Sequence, residues 1–590
     1  MNTPTTFYKD QITQHSQELS KVKTKLNVSS TVRLAVFIAT GAGIYFSLGN
    51  TQLLIGCILL GIVAFVILVG RHSKLQHERD LLKALIARSE VELKVLERDF
   101  TDLPDGSEFH NPEHLYSQDI DLFGRGSFYQ YFNRTALQSG AARLAEMMLS
   151  NDTLEIKKKQ EAVKELSTLA TWRLRYGAIA SLVKTDVSAQ AVVSWLQEYT
   201  TFVPSMMKVF TKVFSVISLA VVGAYFLGFI AGWWVFVIFG IGLLISGRYV
   251  KNIGLLSAHT SAIQTTFTQY ASLLAEIEAQ EFTSTLLKNK REKVITEAQA
   301  SSGVLKKFSR HLDALDQRNN ILVGLITNGF FLRDIGVVYK IEDWITTNRE
   351  AVNDWFEVIS FFDAYNSLGN YTFNHSHHVF PEIVAAGETL RVKGAAHPLL
   401  DPAIAVTNDI TIKDDEFFIV TGANMAGKST FLRTVALQIV MSNIGLPVCA
   451  SEAVYKPIKL ITSMRTTDSL TDDESYFFSE LKRLKFIVDE IVNERYFIIL
   501  DEILKGTNST DKAAGSRKFI DKLVGNGATG IIATHDLSLC EAANDLAEVK
   551  NYYFDAQIID DELFFDYTFK EGICQNMNAS FLLKKMGIVD

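Results

Sequence analysis

The chain has 590 residues, 48% of them hydrophobic and 21% charged, with a formal net charge of −8. That balance is more apolar than an ordinary soluble enzyme and points to contact with lipid, while the acidic total removes any global reason to expect nucleic acid. The four cysteines, Cys57, Cys449, Cys540 and Cys574, lie far apart with no CxxC pair, which argues against zinc or a disulfide framework and suits a reducing compartment.

The N-terminus is polar and charged before any apolar run, so the first hydrophobic segment begins too late for a cleaved signal peptide. From Leu34 to Gly70 no residue is charged, and the run divides at Gly49-Asn50-Thr51-Gln52. Each half approaches the ~20 residues needed to cross a hydrocarbon core, so this stretch reads as a transmembrane hairpin at about 31–70. The segment from His72 to Phe100 has leucines at helical spacing amid alternating charge and predicts a helix continuing out of the bilayer.

A second uncharged run, Val213 to Ser246, is too long for one straight span and predicts a second hairpin turning near Gly228 to Trp234, with Trp233 and Trp234 in the interfacial aromatic belt. One tilted or broken helix is the alternative. Lys21, Lys23, Lys25, Arg33, Arg71, Lys74, Lys208, Lys212, Arg248 and Lys251 flank the outer ends of the two runs, and the turns carry no basic residue. By the positive-inside rule both hairpins enter from the cytoplasm and return. The expectation is a multi-pass protein of the cell (inner) membrane with both termini and every large segment cytoplasmic.

From about Thr260 to Asp363 the pattern is long helices; "KNKREK" at 288 to 293 reads as a solvated helix face. "FNHSHH", with His375, His377 and His378, lacks the spacing of a strong metal site and reads as a polar loop. From about Gly387 onward "FFIVTG", "FIILDE" and "GIIATH" alternate with helical stretches, the signature of a parallel α/β sheet.

In "FFIVTGANMAGKSTFLRTVALQIV" a strand leads into Gly422-Ala423-Asn424-Met425-Ala426-Gly427-Lys428-Ser429, followed by Thr430 and a helical pattern. This is GxxxxGKS in strand, loop, helix context. Its glycines let backbone amides wrap phosphates at a helix N-terminus, Lys428 reaches the β and γ phosphates, and Ser429 offers its hydroxyl to magnesium. "RYFIILDEILKGTNSTD" ends a second strand in Asp501-Glu502, with Asp501 expected on the magnesium side and Glu502 expected to orient or deprotonate the attacking water. "TGIIATHDLSL" ends a third strand with His535, placed toward the γ-phosphate. Three such residues in this order after the loop point to hydrolysis of a nucleotide with Mg2+.

"TGANMAGKSTFLR", "DEILKGTNSTD", "ATHDLSL" and "YTFKEGICQNMNASFLLKKMGI" resemble the ATPase domain of the MutS mismatch-repair family, a branch of the ABC-type P-loop ATPases. "SMRTTDSLTDDESYFFSELKRLK" is similar to the segment with which that family reaches the partner subunit's nucleotide. The resemblance implies that the nucleotide is ATP and that Ser475 touches its γ-phosphate in trans, with Glu480 in the same motif, and hence a homodimer. Residues 119–167 look like the start of the family's helical core, and "AAHPLLDP" with "VTNDITI" like the entry to its ATPase domain.

The departures are as informative. Nothing before residue 115 resembles the family's mismatch-reading domain, so mismatch recognition is not implied. The second hairpin falls where the core would lead toward the DNA clamp. "IAVTND" offers no aromatic residue to stack on adenine, and Asp473-Glu474 precedes Ser475 where the family usually has a glycine and a basic residue. The expected organisation is an N-terminal helix, first hairpin and connecting helix (1–114), a first segment of helical core (115–208), second hairpin (209–250), a second segment of helical core (251–385) and a MutS-like ATPase domain (386–590). The fold class is therefore an α/β P-loop NTPase domain joined to an all-α core and two transmembrane α-hairpins. The preferred function is a membrane-anchored homodimeric ATPase whose cycle rearranges core and hairpins. The alternatives are a membrane-tethered clamp on DNA structures other than mismatches and an ABC-type transporter, although the LSGGQ signature is absent. The lipid bilayer, a second copy of the chain, DNA and an unidentified protein are the partners these readings involve.

Overall fold

The computed structural model describes residues 3–182, 187–295, 300–319, 321–465, 476–505, 507–559 and 562–575. Two long helices open the chain, α1 (Pro4–Phe46) and α2 (Thr51–Leu96), joined by a turn at 47–50 whose Asn50 side chain caps the second. They pack side by side, and both continue without a break from apolar stretch to polar stretch. The N-terminal helix also docks on the core: Tyr8 is buried and its hydroxyl donates to Asn370 and Asn374.

Short helices follow as α3 (Phe128–Phe132), α4 (Gln138–Leu149), α5 (Ile156–Thr168), α6 (Ala170–Ser181) and α7 (Ala189–Glu198). The second apolar run forms α8 (Met207–Phe226) and the beginning of α9 (Trp233–Ala279), with the turn at 227–232 and Trp233 stacked on Trp234. No break falls near residue 250, because α9 runs on from the apolar region into the core. Then come α10 (Thr285–Glu292), α11 (Ser301–Asp316), the short apolar α12 (Ile321–Phe331) and α13 (Arg333–Asn374). At ~1.5 Å per residue, α13 alone spans roughly 60 Å.

Among the described residues four helices are long and apolar enough to cross a membrane: α1, α2, α8 and Trp233–Ser261 of α9. Their most apolar stretches are only 6% to 17% buried within the protein. Side chains such as Phe37, Leu60, Val216 and Phe236 therefore lie exposed, a surface that water would penalise.

The core is built around α13, which packs against α4, α5, α9 and α11 and buries Trp344, Trp355 and Phe362. Buried Asp363 accepts the Ala136 and Leu137 amides ahead of α4, and burial holds its carboxyl up at about 6. Two sequence expectations change here. "KNKREK" is engaged rather than solvated: Lys290 and Lys293 both reach Glu357, and Arg291 donates to the Glu278 carbonyl. "FNHSHH" is not a polar loop throughout. His375 stacks on Tyr371 and bonds the Tyr131 hydroxyl, while His378 is buried against the Tyr371 hydroxyl.

The C-terminal region holds two sheets. The smaller, in the order β1-β5-β2-β3, contains β1 (Glu382–Ile383), β2 (Glu388–Ala395), β3 (Asn408–Lys413) and β5 (Glu452–Tyr455). The larger, in the order β10-β9-β4-β8-β7-β6, contains β4 (Phe417–Gly422), β6 (Lys459–Ser463), β7 (Tyr496–Asp501), β8 (Thr529–Ala533), β9 (Val549–Ile559) and β10 (Glu562–Glu571). Its strands from β9 to β6 are parallel, and β10 returns antiparallel. Four helices accompany them: α14 (Lys428–Asn443), α15 (Tyr476–Asn493), α16 (Ser509–Gly525) and α17 (Ala542–Asp545). The apolar runs read as strands in the sequence are buried on both faces, as a parallel sheet between helices requires.

A polar knot helps join core and sheet. Buried Asp119 accepts from the Thr462 hydroxyl (2.5 Å) and the Met464 and Arg465 amides (3.1 and 2.8 Å). Arg465 forms a two-pronged pair with Asp121, and Arg433 of α14 reaches Asp121 and the Asp119 carbonyl. Farther along, the Asn151 side chain pairs with both the amide and the carbonyl of Leu460.

Two outcomes follow for stability. Asp119→Ala orphans the Thr462, Met464 and Arg465 donors and should destabilise the protein by about 3 kcal/mol, measured as a lower midpoint of unfolding in detergent. Burial pushes His375 down to about 4, His378 to about 2 and His397 to about 4, against ~6.5 when unfolded. The unfolded chain then binds more protons on acidification, so stability is complete above pH ~6.5 and lost as pH falls from there toward ~4. A thermal midpoint that stays level across that window would contradict this.

Candidate nucleotide-binding site

The parallel arrangement brings three strand ends together. Val420 of β4 and Asp501 of β7 both lie level with Ala533 of the intervening β8, so Gly422, Asp501-Glu502 and His535 emerge side by side at the carboxyl edge of the sheet, where open α/β sheets hold ligands. The loop after β4 carries Ala423, Asn424, Met425 and Ala426, and Gly427 caps α14. Two backbone positions demand glycine. Gly422 has φ +149° and a Cβ there would meet the Phe554 carbonyl at 2.6 Å; Gly427 has φ +102° with the Tyr567 ring 3.1 Å from where a Cβ would lie.

Lys428 is buried and its ammonium donates to the carbonyls of Gly422 (2.7 Å) and Ala423 (2.9 Å), with His535 Nε2 at 3.4 Å. The Ser429 hydroxyl donates to Asp501 Oδ2 at 2.8 Å. Glu502 Oε1 lies 3.5 Å from His535 Nε2. Burial pulls the Lys428 ammonium down, with Asp501 and Glu502 pulling it back up. Burial pushes Asp501 up against the Ser429 hydrogen bond, and burial followed by the Lys428 charge depresses His535. Thr430 is exposed in the first turn of α14.

These groups line one cavity of about 660 Å³, which also takes in His397, Ile404, Lys505 and Tyr567. That volume suits a nucleotide-sized ligand. Loop, lysine and hydroxyl are an anion cradle at a helix N-terminus. Among the described residues no cluster of three or more His, Cys, Asp or Glu could by itself hold a metal. Ser429 and Asp501 supply only two oxygen donors, the donor set expected when magnesium takes its remaining ligands from phosphates and water.

Residues beyond those singled out in the sequence complete the site. Tyr567 sits at a register irregularity between Phe565 and Phe569 of β10 with φ +53°, and this bend carries its ring over Gly427. An irregularity of this kind leaves no periodic signal, so an aromatic residue on this distant hairpin is not legible in the sequence. Glu480 acts within its own chain: it is buried and accepts the Leu504 and Lys505 amides (2.6 and 3.1 Å). It thereby fixes the loop in which Glu502 and Leu504 adopt positive φ, while the Glu502 amide is tied to the Ala533 carbonyl. Ser475 lies outside the described residues.

Residues 418–584 match the family described as MutS domain V. The chain is 30% identical over 254 residues to the DNA mismatch repair protein MutS of Desulfatibacillum aliphaticivorans, covering 41% of this chain and 28% of that protein. It is 35% identical over 182 residues to the MutS of Fusobacterium nucleatum, covering 30% and 20%. It is 29% identical over 214 residues to MutS protein homolog 4 of Homo sapiens, covering 34% and 22%. The chain thus spans 20% to 28% of the length of these relatives. Residues 418–584 are thus similar to MutS domain V, and the chain shares that similarity with these MutS relatives.

Proposed function

We propose that the protein is a membrane-anchored, MutS-like ATPase with a P-loop fold, acting as a homodimer in which binding and hydrolysis of ATP rearrange the helical core and the two apolar hairpins. The observation that carries this reading is the convergence of Lys428, Ser429, Asp501, Glu502 and His535 on one cavity at the carboxyl edge of the sheet. In this proposal the loop from Gly422 to Thr430 binds the phosphates, with Lys428 neutralising their charge. Ser429 and Asp501 would hold magnesium, which supplies charge neutralisation on the phosphates when bound. Glu502 orients the attacking water and takes its proton, and His535 is held by Glu502 and Lys428 toward the reacting end. Tyr567 offers a ring for the base, and the Ser475 segment would complete the site of the partner subunit.

The link to the membrane is mechanical. Arg433 follows the phosphate loop by little more than a turn of α14, and Arg465 leads into the segment ending at Ser475. Both are fastened to Asp119 and Asp121 at the start of the helical core. From that core α2 and α9 run without interruption into the apolar hairpins, and the start of α13 packs against α8. The hairpins' exposed apolar surface and the basic residues at their outer ends support insertion from the cytoplasmic side, leaving both termini in the cytoplasm. The mismatch-repair names of the relatives favour a second reading, a membrane-tethered clamp on DNA structures other than mismatches.

ATP hydrolysis by the detergent-solubilised protein tests the assignment. Lys428→Ala should abolish turnover, and turnover retained in that variant would sink it. Glu502→Gln should lower kcat by about 10³-fold while nucleotide binding, followed with a fluorescent analogue, persists. Stimulation by linear, branched or single-stranded DNA would select the clamp reading; indifference to all three would leave the hairpins as the output.

A further inference from the structure

Beneath the second hairpin lies a cavity of about 460 Å³ that the nucleotide chemistry does not use, walled by the first two turns of α8, the end of α12 and the first turns of α13. Its lining holds four cationic side chains, Lys208, Lys212, Arg333 and Lys340, against one carboxylate, Asp343. It exists because the chain reverses sharply at Leu332, at φ +50°, which sets α13 back against α8. Gly336 adds no side chain where the two helices meet, its missing Cβ being 3.7 Å from Thr211.

The cations are not consumed by the fold. Arg333 donates through Nη2 to the Ala314 carbonyl and the Gln317 side chain, but its buried Nη1 has no hydrogen-bond partner. Among the described residues Lys208 has only a contact with the Tyr339 ring, 5.9 Å from its centroid. The carboxylate beside Arg333 in sequence, Asp334, is paired instead with Arg318. Lys212 and Lys340 are exposed.

The cavity also lies at a boundary. Lys208 and Lys212 are the last charged residues before the uncharged run of α8, and the surface continues onto exposed Val213 and Val216 and onto exposed Leu325 and Ile326 of the neighbouring α12. A run as short as α12 is read as an interfacial or re-entrant element rather than a span. It packs on both α8 and α9, with Gly242 against the Gly329 carbonyl and Phe239 against Phe330. A site that is cationic on one side and apolar on the other matches a lipid in both halves.

We propose that this cavity binds the phosphate headgroup of an anionic phospholipid of the cytoplasmic leaflet, whose acyl chains lie along α8 and α12, and that α12 is seated in the interface. The inference rests on the membrane-anchored reading above. Basic recesses between membrane helices on the cytoplasmic side recognise such headgroups through charge, at about five-fold in affinity for each lysine. A bound lipid would tie α8 to the start of α13, and so sense the position of the helix that leads to the nucleotide-binding sheet.

The test is native mass spectrometry of the full chain released from nanodiscs of phosphatidylcholine with and without phosphatidylglycerol. The wild type should retain phosphatidylglycerol in preference to phosphatidylcholine, and the K212Q/K340Q double variant should lose about twenty-fold of that retention while still hydrolysing ATP. Equal retention by the variant, or no preference in a wild type that inserts and hydrolyses ATP, would overturn the lipid site alone. Displacement by inorganic phosphate would overturn it in favour of a soluble phosphate ligand. A wild type that hydrolyses ATP but never enters nanodiscs would defeat the membrane reading as well.

Discussion

The backbone hydrogen bonding of α2, α9 and α13 is the constraint on which the architecture depends. Each residue of a helix is tied to the one four positions away, so a helix that does not break cannot bend freely between its ends. α2 carries the first apolar hairpin into the core, where Glu92 meets Arg134, and α9 does the same for the second hairpin. α13 runs from the base of that hairpin to His375, just before Val379 bridges to Val448 below the nucleotide-binding sheet. Displacement at one end of such a rod is delivered to the other. The Asp119 knot supplies the short connection these rods lack, from phosphate loop to core.

Strain in the site follows from the same economy of means. Met425, Glu502 and Leu504 all hold positive φ, a conformation that persists for such side chains only where neighbours over-determine it. For Glu502 and Leu504 those neighbours are visible: the Ala533 carbonyl on one side and buried Glu480 on the other. A carboxylate in the segment that the family resemblance assigns to subunit contact thus holds its own chain's loop. Glu480 thereby joins the loop after Glu502 to the helix that begins directly after Ser475.

Much of this was legible in the sequence, for physical reasons. Strands buried on both faces and a glycine loop at a helix N-terminus leave local signals, so the sequence singles out Gly422 to Ser429, Asp501, Glu502 and His535, which lie together at one edge of the sheet. Uncharged runs long enough to cross a bilayer gave all four long apolar helices and both turns. What remained hidden depended on distance in the chain. Tyr567 reaches the site through an irregular hairpin and Asp119 through a contact more than 340 residues away. His375 and His378 look polar in sequence but are packed against aromatic rings, Tyr131 of α3 and Tyr371 of α13 for His375 and Tyr371 for His378. The basic cluster at 288–293 looked solvated because Glu357 lies in another helix. α12 leaves no such signal because its apolar run of 11 residues is too short for a span.

One feature of the sheet bears on how the chain can be divided. β6 is an edge strand, yet its outer side is not open: Leu460 is paired by the Asn151 side chain, the Thr462 amide by the Leu115 carbonyl, and the Met464 amide by Asp119. Segments from the helical core thus act as a surrogate seventh strand. Unpaired edges template association between chains, so residues 386–590 expressed alone would present a bare and adhesive border. The C-terminal sheet and the core are separate in architecture but share a seam, which contacts from residues 115–151 close.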